Sequence, residues 1–284
     1  MPPPTSAPGA TAVPTTVPGD AVLLAAGDIA SCSSSGDEAT AKLLDGVAGT
    51  VATLGDNAYP AGSASDFASC YGPTWGRHKA RTRPAAGNHE YLTAHASGYF
   101  AYFGAAAGAA ARGYYSYTLG SWHIVVINSE CDEVGGCQAG SAQERWLRAD
   151  LAASTGRCQL AYWHKPLFTS GREHGNATEM RPIFQALYAA NAEIVLSGHN
   201  HNYERFAPQS PNGVLDTAGG IRQFVVGTGG ASHYEFGPTK PNSQVRNADA
   251  HGVLKLTLHA NGYDWRFLPQ AGKTFTDSGS GTCH

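Results

Sequence analysis

Short apolar runs alternate with polar turns along most of the chain, and seven of them read as strands, at residues 21–26, 51–54, 122–128, 159–163, 193–197, 222–227 and 252–258. A helical period begins near Asp37 and again at Ser141, where Ser141-Ala142-Gln143-Glu144 reads as a capping box ahead of Trp146, Leu147 and Leu151. A third helix is expected over 178–190, with Pro182 tolerated in its first turn. No internal repeat is present. The last 65 residues read almost wholly as β, with Asn261-Gly262 as a hairpin turn. Strands mixed with helices, followed by strands alone, predict an α/β or α+β sandwich in one domain over residues 21–284.

Composition narrows the class. Charged residues make up 14% of the chain, well below the roughly 25% of an average soluble domain. The 35 glycines predict abundant tight turns. Net charge is −3 and no run of Lys or Arg is long enough to track a phosphate backbone, so a nucleic-acid-binding module is not expected. No apolar run approaches the roughly 18 residues of a membrane span. Residues 1–20 hold six prolines and four threonines with Asp20 as their one charged side chain, the make-up of a disordered linker. They lack the basic and apolar regions of a signal peptide and read as the start of a mature exported chain. Six scattered cysteines, none in a C-x-x-C pair, predict disulfides and hence a secreted or extracytoplasmic protein. Cys131 and Cys137 are the best local pair, and the remaining pairings stay open.

The chemistry lies at the ends of the strands. Five apolar runs each end in a metal-competent group, at Asp28, at Asp56-Asn57, at Asn88-His89, at His164 and at His199-Asn200-His201. Glycine precedes the polar group in four of the five, which lets the chain turn sharply against a bound group. Open α/β folds place ligands at such strand ends. Mixed oxygen and imidazole donors suit iron, zinc or manganese rather than calcium. They are too many for one tetrahedral zinc and enough for two ions sharing a carboxylate, the arrangement used for displacement at phosphorus.

The series Gly-Asp28, Gly-Asp56-Asn57-Ala-Tyr59, Gly-Asn88-His89-Glu90, His164 and Gly-His199-Asn-His201 resembles the calcineurin-like metallophosphoesterases. Within them it is most similar to the purple acid phosphatases. Most of the superfamily has a histidine two residues after the first aspartate, where this chain has Ala30. Tyr59, three residues past Asp56, stands instead where the purple acid phosphatase pattern has its tyrosine. One departure is Ala30 itself, where that family usually has glycine.

The resemblance implies a four-layer αββα sandwich with two mixed sheets, and a monomer. It implies one metal, Fe(III), on Asp28, Asp56, Tyr59 and His201. A second metal, Fe(II), zinc or manganese, would sit on Asp56, Asn88, His164 and His199. It further implies in-line attack of a metal-bound hydroxide on a small phosphomonoester, with inorganic phosphate as product. His89 and His174 take substrate-side roles in this reading. A phosphodiesterase acting on nucleotides or glycerophosphodiesters with the same site is the alternative. An inert scaffold would have lost ligands, and here every expected ligand is present. His233 is a candidate for the pocket wall, and Arg205 is expected in a salt bridge.

Overall fold

The computed structural model describes residues 19–284, so the Pro/Thr-rich linker lies, but for its last two residues, outside the described residues. The strands are β1 (Ala21–Ala26), β2 (Thr50–Leu54), β3 (Thr82–Ala85), β4 (Tyr115–Leu119), β5 (Trp122–Val126), β6 (Cys158–Tyr162) and β7 (Ile194–Ser197). After them come β8 (Tyr203–Phe206), β9 (Arg222–Val226), β10 (Ser243–Asn247), β11 (Gly252–His259), β12 (Gly262–Pro269) and β13 (Ser278–Thr282). The helices are α1 (Gly36–Asp45), the single turn α2 (Ala64–Asp66), α3 (Ser97–Phe103), α4 (Ala142–Ala153) and α5 (Arg181–Ala189).

Two mixed sheets result, ordered β13-β12-β11-β1-β2-β3 and β10-β8-β9-β7-β6-β5-β4. Within the first, β1, β2 and β3 run parallel; within the second, β5, β6, β7 and β9 do. Antiparallel strands complete both sheets, and β11 and β12 form the hairpin expected in the β-rich C-terminal region, with its turn at Ala260-Asn261 and Gly262 already in β12.

Alternation along the central strands sets the layers. Ile124, Val126, Leu160, Tyr162, Ile194 and Leu196 point to the first sheet. Their neighbours Val125, Ala161, Trp163 and Val195 point outward, onto Leu147 of α4 and Ile183, Phe184 and Leu187 of α5. On the other side, α1 packs Ala41 and Leu44 against the first sheet. The αββα order is therefore the observed one.

Several elements differ from the sequence expectation for physical reasons. Ser141 caps α4 by accepting the Glu144 N–H, but the Glu144 carboxylate reaches back to the Gly140 N–H, one residue outside the expected box. The helix expected from Thr178 starts as a 3₁₀ turn and becomes α only at Arg181, with Pro182 in its first turn. Strand β3 reads Thr-Arg-Pro-Ala; it is tolerable as a strand because it lies at the sheet edge, where the missing proline N–H costs no ladder bond.

All six cysteines are paired, as Cys32–Cys70, Cys131–Cys137 and Cys158–Cys283. Beside the last of these, the buried Glu193 faces His284 Nδ1 at 2.8 Å. Burial pushes the Glu193 pKa up to about 8, against the backbone of His284 and the charge of Arg157. Its folded-state value thus exceeds the usual 4.5, so the folded state holds the extra proton and stability falls as pH rises between those two values. Glu193→Gln should therefore gain thermal stability over the parent as pH goes from about 5 to about 9. An unchanged gap in melting temperature across that range would count against the assignment.

Candidate metal centre

Because the two parallel sets end at a common edge, the expected residues converge there. Asp28, Asp56, His164 and His199 each stand two residues beyond a strand, those of β1, β2, β6 and β7, and Asn88 stands three beyond β3. Three of these residues hold left-handed backbone, Asp28 at φ 59°, Asp56 at φ 48° and His199 at φ 70°. Non-glycine residues avoid that region unless the surroundings hold them there, and such strain collects at functional sites. The glycines before them make the approach possible. A Cβ on Gly198 would lie 2.6 Å from Asp28 Oδ2, and one on Gly55 would lie 2.5 Å from His164 Nδ1.

Each carboxylate has one oxygen pinned by backbone and one turned inward. Asp28 Oδ2 accepts the His199 N–H at 2.8 Å, and Asp56 Oδ1 accepts the His89 N–H at 2.9 Å. The inward oxygens meet the other candidates. Tyr59 Oη lies 3.2 Å from Asp28 Oδ1, 3.2 Å from Asp56 Oδ2 and 3.1 Å from His201 Nε2. His164 Nε2 lies 3.2 Å from Asp56 Oδ2, 3.1 Å from Asn88 Oδ1 and 3.1 Å from His199 Nδ1. Two groups of ligand atoms thus form, with Asp56 Oδ2 in both.

The histidines are oriented from behind. His164 Nδ1 donates to the Leu54 carbonyl at 2.8 Å and His201 Nδ1 to the Ser232 carbonyl at 2.6 Å. Each bond uses the ring's Nδ1 proton and leaves Nε2, in the neutral ring, as a lone pair facing the site. Ala30 is buried and its methyl is accommodated. Its N–H donates to Asn57 and its carbonyl accepts the Tyr59 N–H at 2.8 Å, so it helps hold the tyrosine.

This donor set fits two cations. Around His164 Nε2 the Asp56, Asn88 and His199 atoms all offer lone pairs, which repel one another unless positive charge lies among them. The same demand shows in the acid–base balance. Burial lowers the His164 pKa, but Asp56 and then Asp28 outweigh it and lift it to about 10. Burial and the two aspartates push the Tyr59 phenol well above its ordinary value, so a phenolate there requires a bound cation.

Both expected substrate-side histidines are at this edge. His89 packs on Tyr59 with ring centroids 4.5 Å apart, and its Nδ1 lies 2.6 Å from the Pro60 carbonyl, which leaves Nε2 for the site. The half-buried His174 stacks on His199 at 3.9 Å. His233 lies one layer back, stacked on His251 at 4.0 Å with Nδ1 3.3 Å from the His201 carbonyl. Arg205 pairs with Asp277 at 2.6 Å, as expected.

Sequence reasoning assigned no role to two residues that matter here. Glu90 is fully buried and accepts the N–H groups of Asp56 at 3.0 Å, Asn57 at 2.8 Å and Gly87 at 2.7 Å. It ties the loop after β2 to the loop after β3, and its place directly after Asn88-His89 was the available signal. Tyr234 stacks on His201 at 3.8 Å and lies 5.7 Å from His174. Its one sequence signal was the adjacent His233, read as a candidate for the pocket wall. A cavity of about 530 Å³ is at the opposite strand ends, lined by Trp122, His123, Asp150 and Arg157 among others. The ligand cluster instead opens to a shallow groove past His199 and His174.

The profile of the calcineurin-like phosphoesterases matches residues 17–203. Purple acid phosphatase 22 of Arabidopsis thaliana is 32% identical over 154 residues, covering 50% of this chain and 34% of that protein. Purple acid phosphatase 21 of the same plant is 29% identical over 157 residues, covering 51% and 34%. The match therefore spans about a third of the length of these curated relatives. Among solved structures, the purple acid phosphatase PPD1 from yellow lupin superposes with a TM-score of 0.73 at 18% identity, over 92% of this chain and 53% of that one. GAP50, the anchor in the inner membrane complex of Plasmodium, superposes with a TM-score of 0.72 at 13% identity, over 93% and 89%. At these identities the likeness to solved structures is one of fold.

Proposed function

This chain belongs to the calcineurin-like phosphoesterase family, and on that footing we propose that it is a dinuclear metal-dependent phosphatase, hydrolysing small phosphomonoesters outside the cytoplasm. The observation that carries the proposal is the pair of ligand groups meeting at Asp56 Oδ2, one of them containing Tyr59. Asp28, Asp56, Tyr59 and His201 would hold Fe(III), for which a phenolate is a suitably hard ligand. Asp56, Asn88, His164 and His199 would hold Fe(II), zinc or manganese. When bound, the ions supply positive charge against the phosphoryl oxygens and acidify water at neutral pH.

The chain's own residues do the remaining work. Backbone N–H groups and the Leu54 and Ser232 carbonyls fix the carboxylates and imidazoles before substrate arrives, so little reorganisation is needed at reaction. His89 carries its Nε2 3.8 Å from Asp56 Oδ2 on a side chain that is 31% exposed, at the edge of the cluster. With Nδ1 held by the Pro60 carbonyl, it is as the imidazolium that its Nε2 donates a proton or hydrogen bond to the departing ester oxygen. His174, stacked on His199, bears on the bound ester from the groove side. Three disulfides support an oxidising compartment, and residues 21–284 would act as one catalytic unit.

Two measurements test this. On metal-reconstituted protein, p-nitrophenyl phosphate should be hydrolysed faster than bis-p-nitrophenyl phosphate, and the reverse order would make the enzyme a diesterase. His89→Ala should keep its metal and lose about a hundredfold or more with alkyl phosphates, but far less with p-nitrophenyl phosphate. Equal loss with both would contradict proton donation by His89.

A further inference from the structure

Two of the three imidazoles in the ligand set are oriented by a backbone carbonyl, His164 by Leu54 and His201 by Ser232. Among the described residues no carbonyl or carboxylate backs the His199 ring, whose Nδ1 faces His164 Nε2 at 3.1 Å. One hydrogen bond at Nδ1 also leaves a ring free to tilt about that bond, so it does not by itself fix the plane of His201. Ring stacking supplies the missing support on both sides. His174 lies on His199 with centroids 3.9 Å apart and planes 20° apart, and Tyr234 lies on His201 at 3.8 Å and 9°. Tyr234 and His174 meet edge to face, at 5.7 Å and 63°. The four rings make one row that runs from a ligand of one group to a ligand of the other.

The loop that carries Tyr234 is fixed along its length. Its entry is tied to the end of β1, where the N–H groups of Gly229 and Ala231 donate to the Gly27 and Asp28 carbonyls at 2.9 Å each. A Cβ on Gly229 would lie 2.5 Å from the Gly27 carbonyl oxygen, so the close approach depends on glycine. At its middle the Tyr234 N–H donates to the His201 carbonyl at 3.0 Å. Its exit is tied to the loop of His174, with the Arg172 N–H donating to the Glu235 carbonyl at 3.0 Å and the Gly237 N–H to the Ser170 carbonyl at 2.8 Å. The ring itself is half-buried and belongs to neither hydrophobic cluster, so core packing does not account for it.

We propose that Tyr234 is a positioning residue of the metal centre, its ring holding the plane of His201 directly and that of His199 through His174. The proposal rests on the ligand set given above and adds the support that orients two of its imidazoles. An imidazole binds a cation along a lone pair that lies in the ring plane. A ring whose plane is set beforehand therefore loses less orientational freedom when the cation binds. The face of the phenol does this, and its hydroxyl takes no part.

The test uses zinc as the probe on metal-free protein, followed by calorimetry, in the parent, Tyr234→Leu and Tyr234→Phe. The leucine variant should still bind two ions but about tenfold more weakly, while its metal-free form melts within about 2 °C of the parent. Phenylalanine, which keeps the ring, should restore the parent affinity. Parent-like affinity in the leucine variant would overturn the proposal. So would an equal loss with phenylalanine, or a loss matched by a fall in the melting temperature of the metal-free protein. The ring-proton resonances of His201 give a second readout that requires no metal, since the ring current of a stacked phenol displaces them and leucine has none. They should move between the parent and Tyr234→Leu, and identical positions would overturn the proposal. If the parent binds no zinc, the dinuclear reading falls, and these resonances alone decide whether Tyr234 holds the ring.

Discussion

Replacing Asp56 with alanine should take bound metal from two ions per chain to none and lower phosphatase turnover by about a thousandfold or more, equivalent to about 4 kcal/mol of barrier. The size of the effect follows from position. Asp56 Oδ2 lies 3.2 Å from Tyr59 Oη and 3.2 Å from His164 Nε2, so it is the one ligand atom common to both groups. Burial opposes its charge, yet His164 and His89 hold the carboxyl well below its ordinary pKa, which keeps it an anion throughout the working range. Its loss leaves Tyr59, Asp28 and His201 on one side and His164, Asn88 and His199 on the other without the shared anion. Elemental analysis with turnover on the same sample decides the matter. A variant that keeps two ions would remove Asp56 from the bridging position.

The second large effect belongs to Glu90, a residue outside the ligand set. Glu90→Ala leaves the buried N–H groups of Asp56, Asn57 and Gly87 without an acceptor. At about 1–3 kcal/mol for each of the three orphaned donors, the loss should reach about 3–9 kcal/mol, a large part of a typical total of about 5–15 kcal/mol. For a chain of this size that corresponds to a fall of about 10 °C or more in melting temperature. Glu90→Gln keeps one carbonyl oxygen as acceptor and should recover about half of it. Thermal and denaturant unfolding of both variants test the claim, and a loss below about 1 kcal/mol for the alanine variant would contradict it.

The positions proposed to hold metal could be singled out because five apolar runs each end in such a group, in four cases behind a glycine, and five such endings in one order are hard to produce by packing. Tyr59 stood out through the resemblance, whose pattern has a tyrosine three residues past the second aspartate, together with the missing histidine two residues after Asp28. The supports behind these groups were not. The Leu54 and Ser232 carbonyls, which orient His164 and His201, are backbone atoms whose role depends wholly on how distant segments meet. Tyr234 reaches the site from a loop with no strand pattern, and its stacking on His201 is a tertiary fact. The same limit applies to the fold. β13 reads Ser-Gly-Ser-Gly-Thr and owes its strand to pairing with β12 rather than to side chains. Cys131–Cys137 closes a short local turn and could be read directly, while Cys158–Cys283 joins residues 125 apart and could not.

Everything proposed for catalysis depends on two metal ions acting together at this edge. The experiment that bears on it most closely is to titrate metal-free protein while following p-nitrophenyl phosphate turnover and bound metal together. Activity should saturate at two bound ions per chain, with a visible absorption band in the iron-loaded protein that disappears in Tyr59→Phe. Activity that saturates at one ion, or that is full without metal, would contradict a dinuclear centre.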